Sequence, residues 1–165
     1  MLNDAFEHHA WATLRLIDAC LALSPEQLET NVPGTYGSIR DTLRHLVGSD
    51  AWYLFVITDG RRPRIDEDHM TLSELRAAME DNGAAWSQVI AEESDADRVT
   101  VVRLDDGSEY HAPIGVRFAQ ALHHGTDHRS QVCTALTELG AEPPAIDLWA
   151  FAEGNGRVVE VPARS

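Results

Sequence analysis

The sequence has few of the features that mark a membrane protein, a secreted scaffold or a nucleic-acid binder. No apolar run approaches the roughly 20 residues that a bilayer span requires. The opening MLNDAFEHHAWA lacks the basic region and apolar stretch of a secretion signal, so the reading is a cytoplasmic protein. Cysteine is scarce: Cys20 and Cys133 are the only two, and neither belongs to a CxxC pair or a zinc-finger spacing. Both lie in helical patterns and read as reduced, buried thiols. Positive charge is also scarce, at 13 basic against 27 acidic residues and a formal net charge of −14. That balance repels phosphate backbones and anionic lipid surfaces, so neither nucleic acid nor a membrane is expected as a partner. The local cluster RRPR (Arg61, Arg62, Arg64) is followed by DEDH and reads as a loop. Several catalytic signatures are missing too: the ExxH pairs of di-iron bundles, HExxH, the GxSxG elbow, the P-loop and GxGxxG.

What remains is a soluble-type composition, 44% hydrophobic and 24% charged over 165 residues, enough to bury one core without staples. Helical periodicity dominates. Phe6, Ala10, Leu14, Ile17 and Leu21 place an apolar stripe on a helix from Leu2 to Leu23. Ser24-Pro25-Glu26-Gln27 opens a short helical turn with a cap, a first-turn proline and a capping-box glutamine. NVPGTYG, residues 31–37, is a loop. Ser38 caps a second long helix to about Thr58, with Ile39, Leu43, Leu46, Val47 and Leu54 on its apolar face. After a polar connection from Gly60 to Met70, the capping box Thr71–Glu74 starts a third long helix ending near Glu93. The period then changes to that of strands around Asp105-Asp106-Gly107-Ser108, a short hairpin. Pro113 opens a fourth long helix to Leu139, stopped by Gly140 and Pro143-Pro144. A short terminal helix over residues 146–153 carries Trp149 and Phe151. The expected fold is all-α: a four-helix bundle with a small β-hairpin before its last long helix. The domain spans residues 1–153, and a loosely held tail follows over 154–165.

Eight histidines then need an account. His69 and His111 lie in polar surroundings and read as surface, with His111 also open to a supporting role. His8 and His9 are adjacent, so only one can face the core. His45 falls mid-helix beside Leu43, Leu46 and Val47, so its ring points at least partly inward, and a buried imidazole needs a partner. In HHGTDHRSQV, residues 123–132, His124 and His128 stand four apart, which brings both rings to one helix face with Cβ atoms roughly 5–6 Å apart. Three inward imidazoles can share one metal ion such as Zn, Ni, Cu or Fe. Three such ligands plus an open position describe a catalytic rather than a structural site. The competing reading has two surface histidines on the fourth helix and a hydrogen-bonded core histidine on the second.

The residues also resemble a known family. HHAWATLRLIDACLALSPEQLE, GTYGSIRDTLRHLVGSDAWYL and ALHHGTDHRSQVCTALTELG are similar to the first, second and fourth helices of the DinB/YfiT-like superfamily of metal-dependent proteins, over roughly residues 5–148. The resemblance implies an up-down-down-up four-helix bundle, commonly a homodimer, with the metal ligands at His45, His124 and His128. It does not extend ligation to His123, and Arg129 matches the arginine after the last ligand. It implies a divalent cofactor (Zn, Ni or Fe) and a small-molecule substrate, with a low-molecular-weight thiol as a candidate co-substrate, since relatives include thiol S-transferases and a thiol-dependent isomerase. The chain offers no dedicated nucleophile, so water or thiolate at the metal takes that role, in S-transfer or hydrolysis. Asp127 and Asp50 are candidates to orient a ligand ring, though either also fits an exposed carboxylate. Two further classes stay open: a metal-binding or stress-response protein without catalysis, and a helical interaction module with incidental histidines.

Overall fold

In the computed structural model the described residues, 2–161, are mostly helical, with one small antiparallel sheet. The elements run α1 (Leu2–Cys20), α2 (Pro25–Leu28), α3 (Ile39–Ile57), α4 (Leu72–Glu92), β1 (Val99–Arg103), β2 (Glu109–Pro113), α5 (Ile114–Glu138) and α6 (Leu148–Gly154). A 3-10 turn, Glu67–His69, lies within the polar connection between α3 and α4. Of the four long helices, α1 packs on α4 and α5, and α3 packs on the same two.

Local chemistry sets most of the boundaries. The hydroxyls of Ser24, Ser38 and Thr71 each accept from the backbone N–H three residues on, which meets a donor that the first helical turn leaves free. Gly140 ends α5 in the left-handed region at φ +73°, and the Ala141 N–H returns to Leu136 O. The hairpin pairs Val99 with Pro113 and Arg103 with Glu109, turning at Gly107 with φ +83°.

One expectation needs correction. α1 ends at Cys20, not Leu23, and Leu21 is exposed. The buried stripe of α1 is instead Phe6, His9, Ala12, Thr13, Leu16, Ile17 and Cys20, so two polar residues sit on its inner face. Arg157 forms ion pairs with Asp4 and Glu7 of α1. Residues 162–165 of the expected tail lie outside the described residues.

The core divides into two apolar halves. One gathers Leu16, Ile17, Leu43, Val47, Leu75, Met79, Val132 and Leu136. The other gathers Phe6, Leu54, Ile57, Trp86, Ile114 and Phe118. Between them in sequence on every long helix stands a buried polar residue: His9 and Thr13 on α1, Asp50 on α3, Asn82 on α4, and His128 and Arg129 on α5. The candidate site is the outward end of this polar layer.

Candidate metal centre

Buried polar groups must find partners, because a stranded donor or acceptor costs about 1–3 kcal/mol. The polar layer meets that demand in a chain of bonds. Arg129 Nη1 donates to His9 Nδ1 at 3.0 Å and to Thr13 Oγ1 at 3.1 Å. A guanidinium only donates, so His9 Nδ1 must be the accepting nitrogen and Nε2 carries the proton. His9 Nε2–H then donates to both Asp50 oxygens, at 3.0 and 3.1 Å. Trp86 Nε1–H donates to Asp50 Oδ2 at 3.0 Å. A neutral imidazole thus links a buried cation to a buried anion. Gly125 makes room for it, since a Cβ there would lie 2.3 Å from His9 Cε1.

Beside this layer α3 and α5 bring His45, His124 and His128 together, with one candidate ligand atom from each within 4.8 Å of the others. Ring centroids are 4.9 Å apart for His45 and His124, 4.8 Å for His45 and His128, and 4.4 Å for His124 and His128. The Nε2 atoms of His45 and His124 face each other at 3.0 Å. Two nitrogens at Zn–N distances of 2.0–2.1 Å in a tetrahedral shell would stand about 3.3 Å apart, so this pair needs only a small opening.

The protonation chemistry fits a cation. Gln131 Oε1 accepts the Tyr36 backbone N–H at 2.9 Å and lies 3.2 Å from His128 Nδ1. An oxygen acceptor fixes the proton of His128 on Nδ1 and leaves Nε2 with a free lone pair. Burial, followed by the neighbouring His128 and His45, pushes His124 down to about 4 against the opposing pull of Asp50. Burial and then His128 also lower His45. Both are therefore neutral at physiological pH, the form that binds metal. The residues present fit a divalent ion with three nitrogen ligands and at least one open position.

Tyr36, from the loop before α3, covers one side. Its ring stacks on His45 at 4.1 Å and meets His128 edge-on at 5.3 Å, and 55% of the residue stays exposed. A cavity of about 340 Å³ opens next to it, lined by Tyr36, Asp41, Arg44, His45, Glu67 and Asp68. A slightly larger one, about 370 Å³ and bordered by Thr58, Arg61, Glu92 and Arg98, does not touch the three histidines. The donor set, not the volume, identifies the site.

The three expected ligands therefore come together. Among the described residues, neither of the two carboxylates expected to orient them is seen bonded to one of these rings. Asp127 is exposed, and Asp50 is only 2% exposed and spends its oxygens on His9 and Trp86. Asp50 acts on His124 through charge alone. His123 is exposed, as are His69 and His111. Of the adjacent pair, His9 is the inward one, while half-buried His8 bonds Ile146 O. Sequence reasoning missed Tyr36, the bridging role of Gln131, and the His9–Asp50–Trp86 linkage. A histidine followed four residues later by threonine on an otherwise apolar face was the one available signal for the last.

No curated protein matches the chain. The model of the DinB family matches residues 1–160, almost the entire length, and the chain belongs to the DinB family.

Proposed function

We propose that His45, His124 and His128 hold one divalent ion (Zn, Ni or Fe) and that the protein is a metal-dependent enzyme of thiol S-transferase or hydrolase type. The observation that carries this reading is the convergence of three imidazoles from two helices, two of them with lowered proton affinity, on a point beside an open cavity. Such an ion, when bound, lowers the pKa of a thiol or water brought to it, which makes a nucleophile available near neutral pH.

The chain's own residues supply position. Gln131 holds the His128 ring by accepting from Nδ1 and at the same time ties down the Tyr36 backbone. Tyr36 stacks on His45 and limits water access from that side. The cavity beside His45 has room for a small molecule, and its wall offers both carboxylates and the Arg44 guanidinium. The mutual packing of the four long helices supports the up-down-down-up bundle as the frame for this site. Exposed Val99, Val101 and Val116 around the hairpin offer apolar surface for a homodimer.

Elemental analysis of wild type beside His45→Ala tests the reading. Near-stoichiometric metal in the wild type and little in the variant is the expected result, followed by turnover of an electrophile with a small thiol. Equal metal in both, or none after reconstitution, overturns the site. Metal without turnover of thiol, ester or amide substrates leaves a metal-binding protein without catalysis.

A further inference from the structure

In a chain of net charge −14, a buried arginine should find a carboxylate. Among the described residues Arg117 has none. It is 9% exposed, and its Nη2 has no hydrogen-bond partner among them. Its Nε donates to Thr100 Oγ1 at 2.6 Å, and its guanidinium carbon lies 5.7 Å from the centre of the Trp52 ring. Among the described residues no carboxylate acts on it, and the phenol of Tyr53 is the one titratable group that does. Burial lowers its proton affinity, against a smaller opposing effect of Tyr53. It also lies in the first turn of α5, where the helix dipole is positive and disfavours a cation. Thr100, an uncharged β1 hydroxyl that itself donates to Ala112 O, is a poor substitute for an anion.

The position of Arg117 gives this anomaly a use. Arg117 and His124 are seven residues apart on α5, two turns along one face, or about 10 Å. On α3, His45, Ser49 and Trp52 follow one another at i, i+4 and i+7, and all three are half-buried. Tyr53 meets Trp52 at 5.2 Å and His124 at 6.0 Å, so rings span the seam from the guanidinium to the histidine cluster. The Trp52 ring and the hairpin residue Thr100 both lie against the Arg117 guanidinium.

We propose that Arg117 is the anion anchor of the substrate site, taking a carboxylate of a small molecule whose reacting end lies about 10 Å away at His45, His124 and His128. The inference rests on the function proposed above. A shift of the Trp52 ring uncovers the guanidinium, and the incoming carboxylate supplies the missing acceptor for Nη2. A guanidinium held in a largely dry site gains more from a paired carboxylate than one on the surface.

The test compares an acid with its alcohol. Zinc-loaded protein is titrated calorimetrically with 8-mercaptooctanoate, 8-mercapto-1-octanol and the short 3-mercaptopropionate. The long acid should bind at least about tenfold tighter than the alcohol, and the short acid should gain nothing over 2-mercaptoethanol. Arg117→Met should erase the gap and leave the alcohol's affinity unchanged, while Arg117→Lys should keep part of it. Arg117→Met should also melt no lower than wild type, since it removes an unpaired buried charge. Equal affinities for acid and alcohol in the wild type, or a gap that survives Arg117→Met, would overturn the anchor while leaving the metal reading intact. If the chain holds no metal, that reading fails separately. The anchor is then decided on metal-free protein by whether octanoate, but not 1-octanol, raises the melting temperature of wild type and not of Arg117→Met.

Discussion

Asp50 accepts from two donors that have no other acceptor among the described residues, His9 Nε2–H and Trp86 Nε1–H. Both donors belong to residues with no exposed surface, so Asp50→Ala would strand them where water has little access. Each stranded donor costs about 1–3 kcal/mol, and the Arg129 charge loses the anion at the other end of the chain. The expected loss is about 3–5 kcal/mol, the range for removing one partner of a buried charge pair. Urea unfolding of the metal-free variant beside wild type measures it. A loss below about 1 kcal/mol would mean that solvent enters and replaces the carboxylate. The residue-level lesson concerns separation in sequence. His9 and Asp50 are 41 positions apart, and His9 and Arg129 are 120 apart. Nothing local to Asp50 distinguishes a buried acceptor from an exposed helix carboxylate, so only the packed helices reveal its role.

Helices, by contrast, announce themselves locally. The caps at Ser24, Ser38 and Thr71, the Gly107 turn and the Gly140 stop all rest on bonds within a few residues, and each falls where the sequence places it. The i, i+4 pair His124 and His128 was legible for the same reason, and His45 was legible because its apolar neighbours turn that face inward. Tyr36 was not, since a loop has no period to say which way a ring points. Bringing α3 and α5 together has a consequence for acid stability. His124 titrates near 4 and His45 below its usual value in the folded protein, against about 6.5 unfolded. Between those values the unfolded chain binds more protons, so stability rises with pH and is lost as the solution is acidified from about 6.5 toward 4. Half-buried His8, lowered chiefly by burial, adds in the same direction. Denaturant midpoints of metal-free protein should therefore fall across that window, and less steeply in His124→Gln. Identical slopes for the two would show that His124 is solvated and unperturbed.

At the scale of the molecule, the candidate ion would join two helices that otherwise meet through packing and the His45–His124 contact. His45 belongs to α3, and the other two ligands belong to α5. The unfolded chain cannot hold these three in register, so an ion bound to the folded state stabilises the entire domain by mass action. The gain is about 2.7 kcal/mol at a free concentration 100 times the dissociation constant. The same domain carries a net charge of −14, which concentrates divalent cations around it at low ionic strength. Zinc should then raise the melting temperature, a chelator should return it to the starting value, and His45→Ala should lose most of the effect. Salt supplies the sharper discrimination. Long-range attraction fades as the screening length contracts from about 30 Å at 0.01 M to about 8 Å at 0.15 M, whereas nitrogen–metal bonds do not. Zinc adsorbed on the acidic surface would stabilise wild type and His45→Ala alike and lose its effect in 0.15 M salt. Zinc held by the three imidazoles would keep most of its effect there and would depend on His45.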